Sequence, residues 1–269
     1  MSALKFFFSL ITFSVCVSLF AQPIAHGHAH NDYLHEKPLL DALVNGFTSI
    51  EADIFLYKKQ LLVAHTAKQL DTKKTLEELY LRPIDSLIQL NRANGNTSDS
   101  TRLILMIDIK SSGDEVYSYL NELLQKYKHV LTPYRKAKAL HWAPVQILLS
   151  GNKPNVKMLE DTTLFTFDED IDYRNDATVL PYTTRFSSAW GNYFKWKGKG
   201  KMSKPEEERL KSLVTQVHRL KKEIRFYHIP DNAAVWDVLL KNNVDWVNTD
   251  NLILYRQFYL DFIQKNSNK

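Results

Sequence analysis

Side chains suited to metal-assisted hydrolysis are concentrated between residues 23 and 66. Four of the nine histidines of the chain lie in residues 23–35, and Glu51, Asp53 and His65 follow. Because side chains on a strand alternate between two faces, Glu51 and Asp53 would point the same way. Two adjacent carboxylates repel each other unless a cation lies between them, and a divalent ion with oxygen ligands meets that need. The apolar flanks favour this interpretation over two solvated carboxylates on an edge strand.

A third carboxylate, Asp108, lies in the apolar run LILMIDIK, residues 103–110. A buried carboxylate without a partner is costly, so Asp108 needs either a cation or a metal. Lys110 follows two residues later on the same face and could form a purely structural pair with Asp108. The other possibility is a metal shared with Glu51 and Asp53. Three carboxylates make an oxygen-only site, which favours Mg²⁺ or Ca²⁺ over zinc.

Two histidines would flank this metal from different elements. Histidine titrates near neutral pH, so His30 and His65 can serve as a base and an acid. Cleavage of a phosphodiester needs both, together with positive charge against the phosphate, which the metal and Lys110 would supply. His28 lies two residues before His30 and remains an alternative for the first catalytic position. His129, His141 and His218 are interpreted as ordinary core or surface residues.

Eight apolar runs of strand length must position these groups. They are residues 24–31, 49–57, 103–110, 146–150, 164–167, 185–189, 224–229 and 246–249. An additional short strand, residues 60–65, is expected to pair with the second as a hairpin. Amphipathic runs of helix length alternate with the strands, at residues 38–45, 76–91, 114–129, 155–160, 205–220, 233–242 and 252–265.

This alternation predicts an α/β fold built from parallel βαβ units, specifically a (β/α)8 TIM barrel, with some distortion allowed. The chain length of 269 residues suits one such domain, placed at residues 22–269. A doubly wound open sheet is second, because neither GxGxxG nor GxxxxGK[ST] occurs. In a barrel, catalytic groups gather at the carboxyl ends of the strands. The predicted substrate-binding residues at those ends are His28, Asn31, Lys110, Trp190, Lys195, Arg225 and Asn248.

The first 21 residues have the composition of a secretory signal peptide. One lysine precedes an apolar run from Phe6 to Phe20, and the small residue Ala21 follows. An uncleaved anchor is the alternative. Cys16, the single cysteine, lies in this run, so the mature chain would contain neither disulfides nor thiolate metal sites. These features predict a secreted or periplasmic bacterial enzyme.

The formal net charge of +5 is spread over the chain, with one local concentration of lysines. Such a run could attract an anionic substrate or give peripheral contact with a membrane surface, although a solvated loop is the commoner case. No arginine-rich arm or nucleic-acid module accompanies it, so a nucleic-acid partner is not expected. The lysines are Lys195, Lys197, Lys199, Lys201 and Lys204.

Several short motifs together resemble a known group of enzymes. HNDY, PLLDAL, GFTSIEAD, LVAH, IDIK, RFYHIPD and VDWVNTD occur in this order along the chain. The set is similar to the phospholipase C-like phosphodiesterase superfamily, which includes glycerophosphodiester phosphodiesterases and sphingomyelinase D toxins. Within it, the chain resembles the branch that contains the yeast altered inheritance of mitochondria protein 6.

The resemblance implies a distorted TIM barrel, two catalytic histidines and a metal held by three carboxylates. By this pattern His30 and His65 are catalytic, the metal ligands are Glu51, Asp53 and Asp108, and Lys110 contacts phosphate. The substrate would be a small-molecule or lipid phosphodiester. The chain departs from glycerophosphodiesterases in two places: Asn31 and Asp32 follow His30 in place of Arg-Gly, and Asp108 stands where those enzymes usually have Glu.

Two other functions use the same residues. The His28-Ala29-His30 pair is typical of zinc amidohydrolase-like barrels, with His65 or His228 and Asp250 completing the site. A barrel without catalytic activity could instead bind phospholipids or glycans through Trp190, Trp196 and the lysine run.

Overall fold

The centre of the molecule is a barrel of eight strands. The computed structural model describes residues 23–94 and 102–267. Numbered β1 to β8 in chain order, the strands are Ile24–Ala29, Phe47–Tyr57, Leu103–Ile109, Val145–Gly151, Phe165–Asp170, Thr183–Ala189, Glu223–Tyr227 and Trp246–Thr249. Each predicted strand overlaps with one of them, because apolar runs of this length between polar turns are a strong strand signal.

Parallel pairing closes the strands into a ring. β1 pairs with β2 on one side and with β8 on the other, where His28 lies opposite Asn248. The six remaining neighbours, from β2–β3 round to β7–β8, are also parallel. The fold is therefore a (β/α)8 TIM barrel, which confirms the predicted class and excludes the open sheet.

Helices cover the outside of the barrel on most connections. Numbered α1 to α7, they are Leu40–Val44, Arg82–Ala93, Gly113–Lys126, Trp190–Tyr193, Lys204–Arg219, Ala233–Lys241 and Leu252–Ser267. A π-helical turn, Glu77–Leu81, leads into α2. Proline lies at the second position of α5, where its missing N–H leaves no helical bond unmade.

The predicted helix at residues 155–160 is wrong. Only a 3-10 turn, Val156–Met158, forms between β4 and β5. The side chain of Asn155 accepts a hydrogen bond from the Lys157 amide at 3.0 Å, a local bond that competes with helix continuation. The β5–β6 connection likewise contains two 3-10 turns, Ile171–Tyr173 and Leu180–Tyr182. This side of the barrel therefore departs from the regular pattern.

The hairpin predicted after the second strand is present. Gln60–Val63 pairs antiparallel with the end of β2. The two turn residues, Lys58 and Lys59, have φ values of 48° and 66°, the signature of a tight type I′ turn. The chain returns along β2, and the Ala64 amide donates to the Asp53 carbonyl at 3.2 Å. The hairpin thus carries His65 back to the carboxyl end of β2.

Alternation along β2 separates the core from the polar interior of the barrel. Ile50, Ala52 and Ile54 are fully buried in the main hydrophobic cluster between strands and helices. Glu51 and Asp53 are on the opposite face, as predicted, and point into the barrel. No helix in the described part of the chain is long and apolar enough to cross a membrane. The predicted signal peptide, residues 1–21, lies outside the described residues and stays a prediction.

Candidate active site

Three carboxylates converge inside the carboxyl end of the barrel. The register of β2 and β3 places Asp53 directly opposite Asp108, with Glu51 two residues earlier on β2. One oxygen from each lies within 4.8 Å of the others. Glu51 and Asp53 are buried, and the Asp108 side chain is 17% exposed. The sequence prediction that these three side chains meet is supported by this geometry.

Each carboxylate has one oxygen fixed by the protein. Glu51 Oε2 accepts hydrogen bonds from His28 Nε2 at 3.0 Å and from an Arg225 amino group at 3.2 Å. Lys110 Nζ lies 3.1 Å from Asp108 Oδ1 and 3.1 Å from Asp53 Oδ2. Asp53 Oδ2 also accepts from the Tyr33 hydroxyl at 2.7 Å. These contacts hold the carboxylates in place by one edge.

The second oxygen of Asp53 has no such partner. Asp53 Oδ1 is buried and accepts no hydrogen bond from the described residues. A buried oxygen left without a donor is costly, and native structures rarely leave one without a reason. The three carboxylates are an oxygen-only donor set of the kind that hard divalent cations prefer. The residues therefore fit a metal ion.

The charges within the cluster act on one another. Burial raises the pKa of Asp108, Lys110 opposes this, and the nearby Glu51 and Asp53 charges add to the rise, so the net pKa is above its usual value. Glu51 behaves oppositely. Burial would raise its pKa, but the His28 hydrogen bond and the charges of His30 and Arg225 hold it well below its usual range. A cation would relieve the repulsion felt by Asp108.

His30 is held with one nitrogen facing the carboxylates. Its Nδ1 lies 2.8 Å from Asp250 Oδ1, so Nδ1–H donates to that carboxylate. Nε2 is left on the other side of the ring, 4.0 Å from Glu51 Oε1. Burial lowers the pKa of His30, but the Asp250 hydrogen bond and the Glu51 charge outweigh it, and the pKa is raised. His30 thus has a free nitrogen directed at the site.

His28 is different, because both of its nitrogens are occupied. The residue is fully buried, with Nδ1 2.7 Å from Ser49 Oγ and Nε2 bonded to Glu51. Burial lowers the pKa of His28 to about 3, against the opposing effect of the Glu51 bond. His28 is therefore neutral at physiological pH and orients Glu51.

His65 completes the site from the hairpin. Its Nδ1 lies 3.0 Å from Asp53 Oδ2 and 3.1 Å from the Tyr33 hydroxyl. The side chain is 53% exposed, so the rest of the ring faces the mouth of the barrel. The Tyr33 hydroxyl also lies 2.7 Å from Asn31 Oδ1, and Asn31 Nδ2 lies 3.0 Å from His30 Nδ1. Asn31 and Tyr33 therefore connect the surroundings of the two histidines.

Arg225 lies beneath the carboxylates as part of a buried network. It donates to Glu51, to Asn248 Oδ1 at 3.2 Å, to Asp168 Oδ2 at 3.1 Å and to Ser187 Oγ at 3.0 Å. Arg225 thus supports Glu51 in this structure, and its predicted contact with substrate stays a prediction. Because Arg225 fixes the amide oxygen of Asn248, its Nδ2 is the free group, and this nitrogen is buried without a partner.

Two predicted substrate-binding residues are not brought to the cluster. Trp190 is instead a core residue, 3% exposed, with its ring centroid 4.1 Å from that of Phe194. Its indole N–H donates to the Trp196 carbonyl at 2.9 Å, which satisfies the polar group within the core. Lys195 is exposed on the loop that follows α4.

The sequence reading missed three residues that shape the site: Tyr33, Asp168 and Ser187. Tyr33 is the last residue of the HNDY motif, and a tyrosine next to several polar groups is a weak signal. Asp168 lies in an apolar strand, as Asp108 does, so the same burial argument would have flagged it.

The structure gives little support to the alternative of a zinc amidohydrolase-like site. Within residues 23–94 and 102–267, one group of three or more acidic or histidine side chains is close enough to share an ion. It consists of the three carboxylates Glu51, Asp53 and Asp108. His28 and His30 bind different partners, and His228 is exposed. Asp250 is engaged by His30.

Comparison with known proteins identifies the family. Residues 20–167 match the AIM6-like phosphodiesterase domain. The chain is 27% identical over 270 residues to Saccharomyces cerevisiae "Altered inheritance of mitochondria protein 6", an alignment that covers 84% of this chain and 69% of the yeast protein. An Arthroderma benhamiae homolog is 28% identical over 147 residues, 47% of either chain. The names of these relatives do not support the predicted export.

A solved structure has the same fold. The crystal structure of a glycerophosphodiester phosphodiesterase from Parabacteroides distasonis superposes with a TM-score of 0.53 at 10% identity, covering 92% of this chain and all of the other. The match to the AIM6-like domain spans more than half of the chain and includes β1 to β4 with all three carboxylates, His30 and His65. The chain therefore belongs to the AIM6-like phosphodiesterase domain family.

Proposed function

We propose that this protein is a metal-dependent phosphoric diester hydrolase that acts on an organic phosphodiester of lipid or glycerol type. The observation that carries the proposal is the cluster of Glu51, Asp53 and Asp108, with His30 on one side and His65 on the other. Family membership supports phosphodiester chemistry, and the arrangement of side chains supports the assignment of roles.

Glu51, Asp53 and Asp108 would hold Mg²⁺ or Ca²⁺. Such an ion, when bound, polarises the phosphoryl group and offsets its negative charge. The support from this chain is the buried, unpartnered Asp53 Oδ1, together with the repulsion that raises the pKa of Asp108. Lys110 lies between Asp53 and Asp108 and would add a positive charge facing the phosphate.

His30 is proposed as the general base. Asp250 accepts the Nδ1 proton, which fixes the tautomer and leaves the Nε2 lone pair to remove a proton from the attacking hydroxyl. This geometry favours His30 over His28, whose nitrogens are both occupied. His65 is proposed as the acid that protonates the leaving oxygen. The free Nδ2 of Asn248 would donate to a phosphate oxygen.

Replacement of either histidine tests these roles. His30→Ala and His65→Ala are each expected to lower turnover of bis-p-nitrophenyl phosphate by about 100-fold or more, the usual contribution of a general acid or base. His129→Ala is the matched control, because His129 also pairs with an aspartate, Asp85, at 2.8 Å but follows α3, at the end of the barrel opposite the mouth. Circular dichroism melting checks that each variant is folded.

The metal requirement is measured in the same assay. EDTA should abolish turnover, and Mg²⁺ or Ca²⁺ should restore it. Recovery with zinc alone would favour the amidohydrolase-like chemistry. Absence of release with any of these ions would favour a binding protein, and full activity in either histidine variant would contradict the proposed roles.

A further inference from the structure

A cationic loop follows β6 on the same face of the barrel as the candidate active site. This segment, residues 194–204, is called the lysine loop and runs from the end of α4 into α5. It carries five exposed lysines: Lys195, Lys197, Lys199, Lys201 and Lys204. The lysines that form ion pairs in the described part of the chain are others: Lys110, Lys153, Lys211 and Lys241.

The backbone of the lysine loop is firmly anchored. Glu206 Oε1 accepts hydrogen bonds from the amides of Lys195 and Trp196, at 2.7 and 3.1 Å. The indole N–H of Trp196, a buried ring, donates to the Lys199 carbonyl at 3.1 Å. Gly198 has φ 90° and packs closely against Asn232. The backbone is thus fixed while the ammonium groups face solvent, which distinguishes this loop from a merely solvated run.

Hydrogen bonds connect the lysine loop to His30. Asn232 Nδ2 donates to the Lys197 carbonyl at 3.4 Å. The preceding residue, Asp231, accepts from the Asp250 amide at 3.0 Å, and Asp250 holds His30 at 2.8 Å. The loop therefore lies on the rim of the barrel mouth, on the side of His30.

We propose that the lysine loop docks the protein on an anionic lipid surface and so presents the barrel mouth to phosphodiesters in that surface. The docking stands on the charge and position of the loop, and its link to the substrate rests on the proposed function. Lysine ammonium groups are hydrated point charges, which suit a diffuse anionic surface.

A nucleic-acid partner fits the loop less well. Arginine is the side chain best suited to nucleic-acid recognition, and residues 194–204 contain none. Single-stranded nucleic acids also need exposed aromatic rings for stacking, whereas Phe194 and Trp196 are both buried. Contact with lipid headgroups requires neither feature.

The expected strength of membrane binding follows from the number of lysine charges in the loop. One lysine near an anionic leaflet increases partitioning by about fivefold, so four lysines together contribute roughly several hundred-fold. The attraction acts over about 10 Å at 0.1 M salt and over about 3 Å at 1 M. Docking should therefore depend steeply on both anionic lipid and ionic strength.

Vesicle co-sedimentation tests the proposal with the full chain in EDTA, so that no divalent ion bridges protein and lipid. Lys197, Lys199, Lys201 and Lys204 are changed to Gln together. The control changes four exposed lysines that precede β4, at the opposite end of the barrel: Lys126, Lys128, Lys136 and Lys138.

The wild type and the control variant should bind phosphatidylcholine vesicles that contain phosphatidylglycerol, and bind pure phosphatidylcholine poorly. The loop variant should lose about 100-fold or more in partitioning to the anionic vesicles. His30→Ala should bind like the wild type, which separates docking from the proposed catalysis.

Three results would overturn the proposal: equal binding to neutral vesicles, binding that survives about 1 M NaCl, or a loop variant that binds as well as its control. Tighter binding to single-stranded DNA than to anionic vesicles would do the same. If the fourfold loop variant fails to fold, Lys199→Gln alone should still lose about fivefold in partitioning, and Lys128→Gln should lose none; equal binding of these two single variants would overturn the proposal.

Discussion

His28 on β1 and His30, the residue just after the end of β1, have opposite environments. His28 lies inside the barrel between Ser49 and Glu51, where burial keeps it neutral. His30, two residues nearer the mouth, binds Asp250 and has a raised pKa. Alternation places both on the same face, and depth in the barrel alone separates their roles. A pair that resembles a zinc motif in sequence is therefore one orienting residue and one candidate base.

The Asp250 carboxylate is expected to control the pH dependence of catalysis. Asp250→Asn removes the charge that raises the pKa of His30, so that pKa should fall. Because a base works in its neutral form, the acidic limb of the kcat/KM profile should move to lower pH. The maximal rate should also fall, by about 100-fold, because the tautomer is no longer fixed. A pH–rate profile with the diester substrate measures both effects.

Asp85→Asn is the matched control for that profile, since Asp85 holds the remote His129 in the same way. A limb that moves to higher pH in Asp250→Asn, or does not move, would show that His30 is not the titrating base. Melting temperatures should change little, because the Asp250 side chain is 65% exposed and exposed pairs contribute about 0–1 kcal/mol.

At the scale of residues, the sequence predicted the positions of side chains that are close together along one strand. Glu51 and Asp53 follow from alternation, and Asp108 follows from the cost of burying a carboxylate. The contacts of Trp190 and Arg225 did not follow, because they depend on which strand neighbours they meet after the barrel closes. Trp190 packs into the core, and the guanidinium of Arg225 donates hydrogen bonds to four partners inside the barrel.

At the scale of elements, the ends of β3 and β4 lie so close together that their backbones position the site. Gly151 ends β4 opposite Ile109 with φ 68°. A Cβ atom there would clash with Asp108 Oδ1 and lie 2.6 Å from the Ile109 carbonyl. The end of β4 can therefore support the Asp108 carboxylate only because this position has no side chain.

Gly151→Ala is expected to weaken metal binding as well as folding. The positive φ alone should cost about 1 kcal/mol in the free energy of unfolding, and the clash with Asp108 adds to it. Calorimetric titration with Mg²⁺ or Ca²⁺ should show at least about tenfold weaker binding, because Asp108 must move.

Gly200→Ala separates the two effects. Gly200 has a similar φ of 64°, but nothing lies within 4 Å of its Cβ position. It should be destabilised to a similar degree by strain and keep its metal affinity. Equal affinity in both variants would mean that Asp108 is not a ligand.

Strands were predictable from sequence, whereas connections were less so. Apolar runs identified all eight strands, and the hairpin after β2 lay where expected. The connection after β4 was mistaken for a helix, because Asn155 caps its own short turn and ends the periodicity. The π-helical turn Glu77–Leu81 has no sequence signal of its own.

At the scale of the whole molecule, the interior of the barrel contains more negative than positive charge. Four carboxylates and two cationic side chains form two groups of ion pairs, and each group has one more negative than positive charge, which gives a surplus of two negative charges. They are Glu51, Asp53, Asp108, Asp168, Lys110 and Arg225. A divalent cation would neutralise that surplus, so the metal-free fold retains repulsion that the loaded fold does not.

Metal should therefore stabilise the entire chain. A ligand present at about 100 times its Kd adds about 2.7 kcal/mol, and about 2–4 °C per kcal/mol is expected for a chain of this size. Differential scanning calorimetry should show a rise in Tm of roughly 5–10 °C with Mg²⁺ or Ca²⁺ over EDTA.

Asp108→Asn should abolish that rise. Its raised pKa means that the ionised form is disfavoured by the fold, so stability contributed by this group falls as pH increases through the folded pKa. In EDTA at neutral pH the variant should thus be at least as stable as the wild type. A strongly destabilised metal-free variant would indicate a structural Asp108–Lys110 pair.

Closure of the ring has a consequence for biosynthesis. The candidate base directly follows the first strand, and the carboxylate that orients it follows the last strand, 220 residues later. A nascent chain emerging from the ribosome therefore holds the complete acidic cluster and both histidines long before His30 can be oriented. Hydrolytic competence should arrive only with the final segment, so that incomplete translation products are inert toward phosphodiesters in the cell.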